Sequence, residues 1–303
     1  MQAIGLNFAD IFALTGLYSA TPEGAFIPGL EFAGVVVEVG DRSRGYQPGD
    51  RVMGVTRFGG YSTVIDSDPA YLWPLPSDWN FAQGAAYPAQ TLTAWYALRE
   101  LGNLQAGQQV LIHSAAGGVG LQAMQLTRAL GAVPVGTIGR SDKLPLLKSF
   151  GFDQVLVRES DFSGQLQQSG LQFDLVLDAI GGDVQRASFN ALKPMGRLVV
   201  FGAAEFTPRG KRPDYLRAAL RYLRRPRYDV MDMISANKSV MAFNLIWLWE
   251  QQERMRVLLE ELQQMELPPP HVGHRFPFSD AHRALDCLRS GKSTGKVVLE
   301  IVR

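Results

Sequence analysis

The feature that most constrains the fold is the run Val110-Leu-Ile-His-Ser-Ala-Ala-Gly-Gly-Val-Gly120, with the segment from Leu121 to Gly131 behind it. Val110, Leu111 and Ile112 are apolar and β-prone, as in a strand buried on both faces. Leu121, Met124, Leu126 and Leu130 then recur at roughly helical spacing, and Gly131 is placed to cap the helix C-terminus. Between them, Gly117, Gly118 and Gly120 lack Cβ atoms, so the backbone can approach a diphosphate and the helix can pack closely on the strand. The helix N-terminus adds unpaired N–H groups and a partial positive charge. Ala115 stands where the first glycine of a Gly-x-Gly-x-x-Gly turn is usual, and glycine turns also serve as plain strand–helix connectors. With further strands and helices following, the run predicts a nucleotide-binding turn in which Ala116, Gly117, Gly118, Val119 and Gly120 meet the phosphates.

At 303 residues the chain is long enough for two domains with their own cores. A net charge of +1 gives no electrostatic case for nucleic acid. No apolar run is long enough to span a bilayer, and the N-terminus has no secretory pattern. Cys287 is the single cysteine, which removes internal disulfides and multi-cysteine zinc sites and fits the reducing cytoplasm.

Upstream, residues 5–18 read as helix-like, 35–39 as a strand, 52–55 as a second strand after the turn at Pro48-Gly-Asp-Arg51, and 59–65 as a third. Strands separated by Gly/Pro turns without intervening helices predict a small barrel-like β domain. Residues 81–101 read as a helix. From residue 110 the pattern alternates: strands at 133–138, 154–157, 175–177 and 197–202, helices at 143–150 and 184–192. Repeated βα units predict a doubly wound parallel sheet. After about residue 235 come a long helix near 249–264, a Pro268-Pro-Pro270 break, a helix near 279–289 and a last strand at 296–302. That strand is expected to return to the first domain. Residues 91–235 would then be a nucleotide domain inserted within a domain made of 1–90 plus 236–303.

Several blocks stand in order along nearly the whole chain: Asn7-Phe-Ala-Asp10 running to Gly16-Leu-Tyr18, Pro28-Gly-Leu-Glu31, Gly49-Asp-Arg-Val52, Ala115-Ala-Gly-Gly-Val-Gly120, Lys193-Pro-Met-Gly196 and Gly295-Lys-Val-Val-Leu299. Together they resemble the medium-chain dehydrogenase/reductase superfamily, specifically its zinc-free quinone-oxidoreductase branch. Phe243-Asn-Leu and the basic segment before it resemble the vesicle-amine-transport-protein-1-like group. The resemblance implies an α/β protein, a Rossmann sheet inserted in a GroES-like β-barrel domain. Zinc-dependent members place a cysteine and a histidine where Asn7 and Leu30 stand, so no catalytic zinc is expected. Without that Lewis acid, alcohol oxidation loses its means of stabilising the alkoxide, whereas hydride addition to a quinone or an α,β-unsaturated carbonyl remains feasible. Members also carry several strands before the Asn7 block, where this chain has six residues. Exposed sheet edges and a truncated N-terminus are therefore expected.

Charge argues the cofactor. NAD enzymes of this fold usually end the second strand with a carboxylate on the ribose 2′-OH. Here the segment Gly136-Thr137-Ile-Gly-Arg140-Ser141-Asp-Lys143 has no acid at the strand tip, and two cations and a hydroxyl follow it, which suits a 2′-phosphate and hence NADPH. The resemblance implies that Ser141 and Lys143 contact that phosphate. It also sets Arg158 where relatives often carry a tyrosine on the same group. The alternative is a solvated basic loop with Asp142 as a helix N-terminal charge. By the same resemblance, Thr93 lies near the carboxamide, and Phe201, Gly202, Phe243, Asn244 and Leu245 line the nicotinamide.

Asn7 and Tyr18 match substrate-pocket positions in the family, where they would donate hydrogen bonds to an acceptor carbonyl as negative charge builds. The alternatives are a helix cap for Asn7 and packing beneath the turn at Thr21-Pro22 for Tyr18. Phe12 stands where some relatives have a second pocket tyrosine. Asp10 reads as a structural hydrogen-bonding residue and His113 as a satisfied core residue. His271, His274 and His282 have no partners at metal-ligand spacing. Arg209 to Arg227 is a basic amphipathic segment with three readings: a surface helix, a lid, or a contact for anionic lipid. The expected protein is an NADPH-dependent, zinc-independent reductase of a small quinone or enone, homodimeric as its relatives imply and without nucleic acid. The alternatives are an enoyl reductase module of a polyketide-synthase-like system, or a nucleotide-binding protein that acts through lipid or membrane contact.

Overall fold

The computed structural model describes residues 1–41, 44–207, 214–265 and 267–301. Its strands are β1 (Ala3–Gly5), β2 (Glu31–Val35), β3 (Arg51–Val55), β4 (Leu72–Pro74), β5 (Gln109–Ile112), β6 (Val133–Ile138), β7 (Val155–Val157), β8 (Phe173–Asp178), β9 (Leu192–Val200), β10 (Ser239–Ala242), β11 (Val272–Pro277) and β12 (Lys296–Glu300). Its α-helices are α1 (Phe8–Leu14), α2 (Phe81–Gly84), α3 (Pro88–Trp95), α4 (Gly118–Ala129), α5 (Leu144–Ser149), α6 (Phe162–Ser169), α7 (Gly182–Asn190), α8 (Tyr215–Arg224), α9 (Val230–Ala236), α10 (Gln252–Gln263) and α11 (Ala281–Arg289). The chain divides into two compact units, Met1–Leu92 with Ile246–Arg303, and Thr93–Leu245. No helix among the described residues is long and apolar enough to cross a membrane.

The first unit is built on a sheet of order β11-β12-β1-β2-β3-β4. The residues ahead of Asn7 supply its middle: Ala3 pairs antiparallel with Glu300 of β12 on one side and with Ala33 of β2 on the other. The edges fall instead on β4 and β11. Ile4, Leu6, Phe32, Val297 and Leu299 bury together with Leu288 of α11, so this core joins residues from the two ends of the sequence. The strand expected at 35–39 lies earlier, at β2. Burial decides it: residues 31–34 are buried on both faces, whereas Val37 and Val39 face solvent. The strand expected at 59–65 is absent. That segment is a series of bends entered through Phe58 and Gly59, both with positive φ (73° and 88°), a backbone that cannot continue a ladder.

The second unit carries a sheet of order β10-β9-β8-β5-β6-β7 in which every neighbouring pair is parallel. Leu111, Phe173, Val176 and Leu198 bury between the sheet and α6 and α7 through Phe162 and Ala187. β10 runs parallel to β9 from Ser239↔Arg197 to Ala242↔Val200, which holds residues 239–242 in this unit. The unit therefore ends at Leu245, later than the boundary at 235 expected from the loss of alternation. The helix expected over 81–101 is broken into α2, α3 and a π-helical stretch, Tyr96–Leu101. Pro88 has no N–H to continue a preceding helix, and α3 starts on it.

Candidate functional site

β5 is the first strand of its sheet and sits between β6, which follows it, and β8, which comes later. The chain thus moves outward from β5 in both directions, and the turn leaving β5 lies at the point where the strand order reverses. There the backbone makes an abrupt exit. His113 N–H still bonds Leu177 O (3.1 Å), Ala115 N–H crosses to Thr137 O (3.0 Å), and Ser114 between them adopts φ 53°. Gly117 is the extended N-cap of α4 and has no side chain with which to satisfy the helix. The N–H groups of Gly118, Val119 and Gly120 belong to the first turn, which has no acceptors of its own within the helix. A Cβ on Gly120 would sit 2.2 Å from Ser114 O and 2.8 Å from Ala115 Cα, so only glycine lets α4 start this close to β5. Gly136 does the same from β6, where a Cβ would lie 2.8 Å from that of Ala115. Ala116 is buried in the turn itself. The result is a compact nest of donors with a helix dipole behind it, which attracts a diphosphate.

Next to the nest lies a buried polar chain. Ser188 Oγ donates to Val184 O (2.7 Å) and so accepts from His113 Nε2 (2.7 Å). Nδ1 is then left to accept from Thr137 Oγ1 (2.8 Å), whose lone pair takes a hydrogen bond from Arg158 Nη1 (2.8 Å). Burial, reinforced by the Arg158 cation, pushes the His113 imidazolium down to about 3, so the ring is neutral and fixed. Arg158, expected on a phosphate, thus directs one arm inward to Thr137, while a Cβ on Gly139 at the tip of β6 would lie 3.1 Å from Nη2. Burial also lowers the Arg158 pKa, opposed by the charge of Asp178.

The loop after β6 is less basic than its composition suggests. Arg140 grips Asp142 through Nε (3.2 and 3.1 Å) and Nη2 (2.6 Å), and this partner holds the Asp142 carboxyl below its ordinary range. Both groups are solvated, so the pair is labile. Ser141 opens a 3₁₀ turn, and Lys143, half-buried, closes it. At the ends of β8, β9 and β10 a second group converges. Phe201 N–H bonds Asp178 O (3.0 Å), Phe243 N–H bonds Val200 O (3.1 Å), and the two rings lie 5.9 Å apart. A Cβ on Gly202 would meet Ala179 O at 2.9 Å. Asn244 follows Phe243, Leu245 begins a 3₁₀ segment, and Thr93 is half-buried on α3. Asp178, which composition alone did not single out, accepts from Ile180 N (2.8 Å), Gly181 N (3.2 Å) and Gln185 Nε2 (2.8 Å) and so fixes the Gly181-Gly182 turn.

In the first unit Asn7 caps α1 through its backbone, with its N–H bonded to Asp10 Oδ2 (2.7 Å). Its carboxamide bridges a buried ion pair: Nδ2 donates to Glu31 Oε1 (2.9 Å), and Lys296 Nζ donates to Oδ1 (2.9 Å) and to Glu31. Glu31 takes a further bond from Ala89 N (2.9 Å). Lys296 stands in the Gly295–Leu299 block but carried no site assignment; it is far from Asn7 along the chain and reaches it only because β12 closes on β1. Asp10 is the structural residue expected: it also accepts from Gly29 N and Tyr61 Oη (both 3.2 Å), and burial raises its carboxyl to about 6. Tyr18 is half-buried, edge-on to Phe58 (6.4 Å), and its carbonyl accepts from Thr21 Oγ1 (2.7 Å). Of the basic segment, Arg209, Lys211 and Arg212 lie outside the described residues; Arg217, Arg221 and Arg224 belong to α8, with Arg225 and Arg227 just after it.

These features match known proteins over the whole chain. The family profile described as "Alcohol dehydrogenase GroES-like domain" matches residues 1–85, and that described as "Zinc-binding dehydrogenase" matches residues 150–299. The synaptic vesicle membrane protein VAT-1 homolog of Homo sapiens is 32% identical over 304 residues, covering 99% of this chain and 77% of that protein. The quinone oxidoreductase from Thermus thermophilus, solved also in complex with NADPH, superposes with a TM-score of 0.78 at 31% identity, covering 99% of this chain and 89% of that one. The CurK enoyl reductase superposes with a TM-score of 0.82 at 28% identity over the same shares. The zinc-binding ancestry does not extend to the ligands, because Asn7 and Leu30 offer an amide and a hydrocarbon at the positions where zinc-dependent members have cysteine and histidine. The chain belongs to the medium-chain dehydrogenase/reductase superfamily and, within it, to the zinc-free quinone oxidoreductase branch.

Proposed function

We propose that the protein is an NADPH-dependent, zinc-independent reductase that reduces a quinone or an α,β-unsaturated carbonyl, working in the cytoplasm as a homodimer. The observation that carries this reading is the nest at Gly117–Gly120, where helix and strand approach so closely that only glycine fits at Gly120, followed by a β6 tip that bears no free carboxylate. The nest suits a diphosphate, and the relative from Thermus thermophilus that shares this fold was solved with NADPH.

The cofactor supplies a hydride; the chain's own residues bind and orient. Gly118, Val119 and Gly120 would hold the diphosphate by their N–H groups. Lys143, Ser141 and the cation of Arg140, once Asp142 releases it, would hold the 2′-phosphate. Arg158 holds Thr137 and so stiffens the tip of β6 on which that loop is mounted. Phe201, Gly202 and the segment Phe243–Leu245 would supply the apolar wall that excludes water, with Thr93 on the carboxamide. On the acceptor side we assign carbonyl polarisation to Asn7 and Tyr18. Asn7 is preset for this: Lys296 pulls electron density toward Oδ1, and Glu31 fixes the amide orientation. The remaining Nδ2–H faces only a long contact to Gly5 O (3.5 Å). Among the described residues no group of three or more His, Cys, Asp or Glu side chains is placed to hold a metal.

The similarity to CurK enoyl reductase favours one further acceptor class, the α,β-unsaturated acyl thioester, reduced by the same chemistry. NADPH oxidation measured against a panel of quinones, alkenals and enoyl thioesters, each repeated with NADH, tests the proposal. Turnover with NADPH on any of the panel supports it, and the best acceptor names the class. Failure to bind NADPH, or equal use of NADH, overturns it.

A further inference from the structure

His113 after β5, Thr137 on β6 and Ser188 on α7 are buried polar side chains joined in one line. Arg158 Nη1–H donates to Thr137 Oγ1, Thr137 Oγ1–H to His113 Nδ1, His113 Nε2–H to Ser188 Oγ, and Ser188 Oγ–H to Val184 O. Every donor points the same way, and the backbone carbonyl at the far end fixes that sense. Hydrocarbon would fill this core at a lower desolvation cost unless the line holds something in place. What it ends on is the Arg158 guanidinium, half-buried beside the tip of β6. Arg158 is fastened there a second time, since its own N–H donates to Ile138 O (2.8 Å). Its Nη2 lies so near Gly139 that a Cβ on that glycine would sit 3.1 Å away. Among the described residues the bond to Thr137 is the only one this side chain donates, which leaves the rest of its N–H groups to a ligand. Asp178, whose charge Arg158 feels, gives its oxygens to Ile180, Gly181 and Gln185 instead. A half-buried cation held at one arm with its other donors unspent is built to receive an anion.

We propose that Thr137, His113 and Ser188 are positioning residues for cofactor choice: they hold Arg158 so that its outer arm meets the 2′-phosphate of NADPH. The proposal rests on the NADPH reading above and adds the buried device that sets the preference. In a sheet of this kind the end of the second strand is where the adenosine ribose lies, and Gly139 stands at that end. A carboxylate there would take the ribose hydroxyl of NADH, whereas a bare glycine with a guanidinium against it suits a phosphate monoester. Holding the arginine in advance matters, because a free one would give up its side-chain freedom on binding and weaken the contact. Thr137 is the pivot, since one hydroxyl both accepts from Arg158 and donates to His113. The imidazole suits its place: with its pKa at about 3 it stays neutral near neutral pH and keeps Nδ1 as an acceptor. An imidazolium would lose that acceptor and repel the arginine.

The test is a set of dissociation constants for NADPH, NADH, 2′-AMP and 5′-AMP, measured by fluorescence and calorimetry on the full chain. The wild type should prefer NADPH to NADH and 2′-AMP to 5′-AMP. Arg158→Leu should weaken the two 2′-phosphate ligands roughly 10- to 100-fold, and Thr137→Val, which keeps the shape and loses the hydroxyl, roughly tenfold, with NADH and 5′-AMP moved by no more than about twofold. Thr137→Ser keeps the hydroxyl and should bind as the wild type does. Adding Thr137→Val to Arg158→Leu should cost nothing more, because Thr137 acts through the guanidinium. Thermal melting controls for folding, and Ser188→Ala, which removes the far anchor of the same line, is a second probe that should shift the preference the same way. A wild type that does not prefer NADPH overturns the cofactor reading and this proposal with it. A preference that survives Arg158→Leu overturns the placement of Arg158 and leaves the cofactor reading standing. A preference lost in Arg158→Leu but kept in Thr137→Val and Ser188→Ala, or equal losses for all four ligands in Thr137→Val, overturns the positioning role.

Discussion

Lys296→Met isolates the ion pair beneath Asn7. Lys296 and Glu31 are both buried, and Glu31 accepts from Lys296 Nζ, Asn7 Nδ2 and Ala89 N. Replacing the lysine by a side chain of similar length keeps the volume but leaves the carboxylate with only neutral donors. Removing one partner of a buried pair costs about 3–5 kcal/mol, because the other charge is stranded in a medium that cannot solvate it. For a unit of this size that is a fall of roughly 6–20 °C in the melting temperature. Glu31→Gln combined with Lys296→Met should recover most of the loss, since a neutral amide still accepts from Asn7 while no charge is left unpaired. The assay is a double-mutant cycle by urea denaturation, run with thermal melting. A single variant that loses less than about 1 kcal/mol, or a double variant that loses the sum of the two singles, would refute the claim that these groups act as a pair.

Gly120→Ala places a methyl 2.2 Å from Ser114 O; α4 must back away from β5, and NADPH affinity by fluorescence titration should fall at least tenfold with little change in helix content. Asp142→Ala frees Arg140 from its carboxylate and should tighten NADPH by a few-fold without altering NADH, whereas Lys143→Ala should weaken NADPH alone; equal effects on both cofactors would remove the 2′-phosphate assignment. Stability should respond to pH through two buried groups of opposite sign. Asp10, raised from 3.8 to about 6, favours the fold below pH ~4 and loses that contribution as pH rises through 6, by up to ~3 kcal/mol. His113, lowered from 6.5 to about 3, contributes fully above 6.5 and loses as pH falls toward 3. Urea denaturation of Asp10→Asn between pH 4 and 7 should therefore show a steeper rise with pH than the wild type, and a parallel curve would refute the Asp10 part.

The second unit was legible because its signals are local. A β-prone run, a glycine turn and a helical repeat fall within Val110–Gly131, and the structure gives strand, turn and helix there. In the first unit the decisive pairings are long-range, and local pattern misplaced them. The valines at 35–39 look like a strand, yet the ladder ends at Val35, because burial is set by partners in β1 and β3. The surroundings of Asn7 show the same limit: Asn7 and Asp10 were visible, but Lys296 became their neighbour only through the β1–β12 pairing. The loop after β6 was legible as basic, but the pairing of Arg140 with Asp142, two residues on, was not read from the sequence, where Asp142 entered only as a helix N-terminal charge in the alternative reading.

Ala3 of β1 pairs with Glu300 of β12, so the ribosome delivers two neighbouring strands of one sheet far apart in time. The inserted unit closes at Leu245 and can condense while its host still lacks β12. Until β12 emerges, the segment holding Asn7 has no lysine to balance Glu31 and no neighbour for one side of β1. Nascent chains stalled after residue 250 should accordingly bind nucleotide before they resist proteolysis at the Asn7 end.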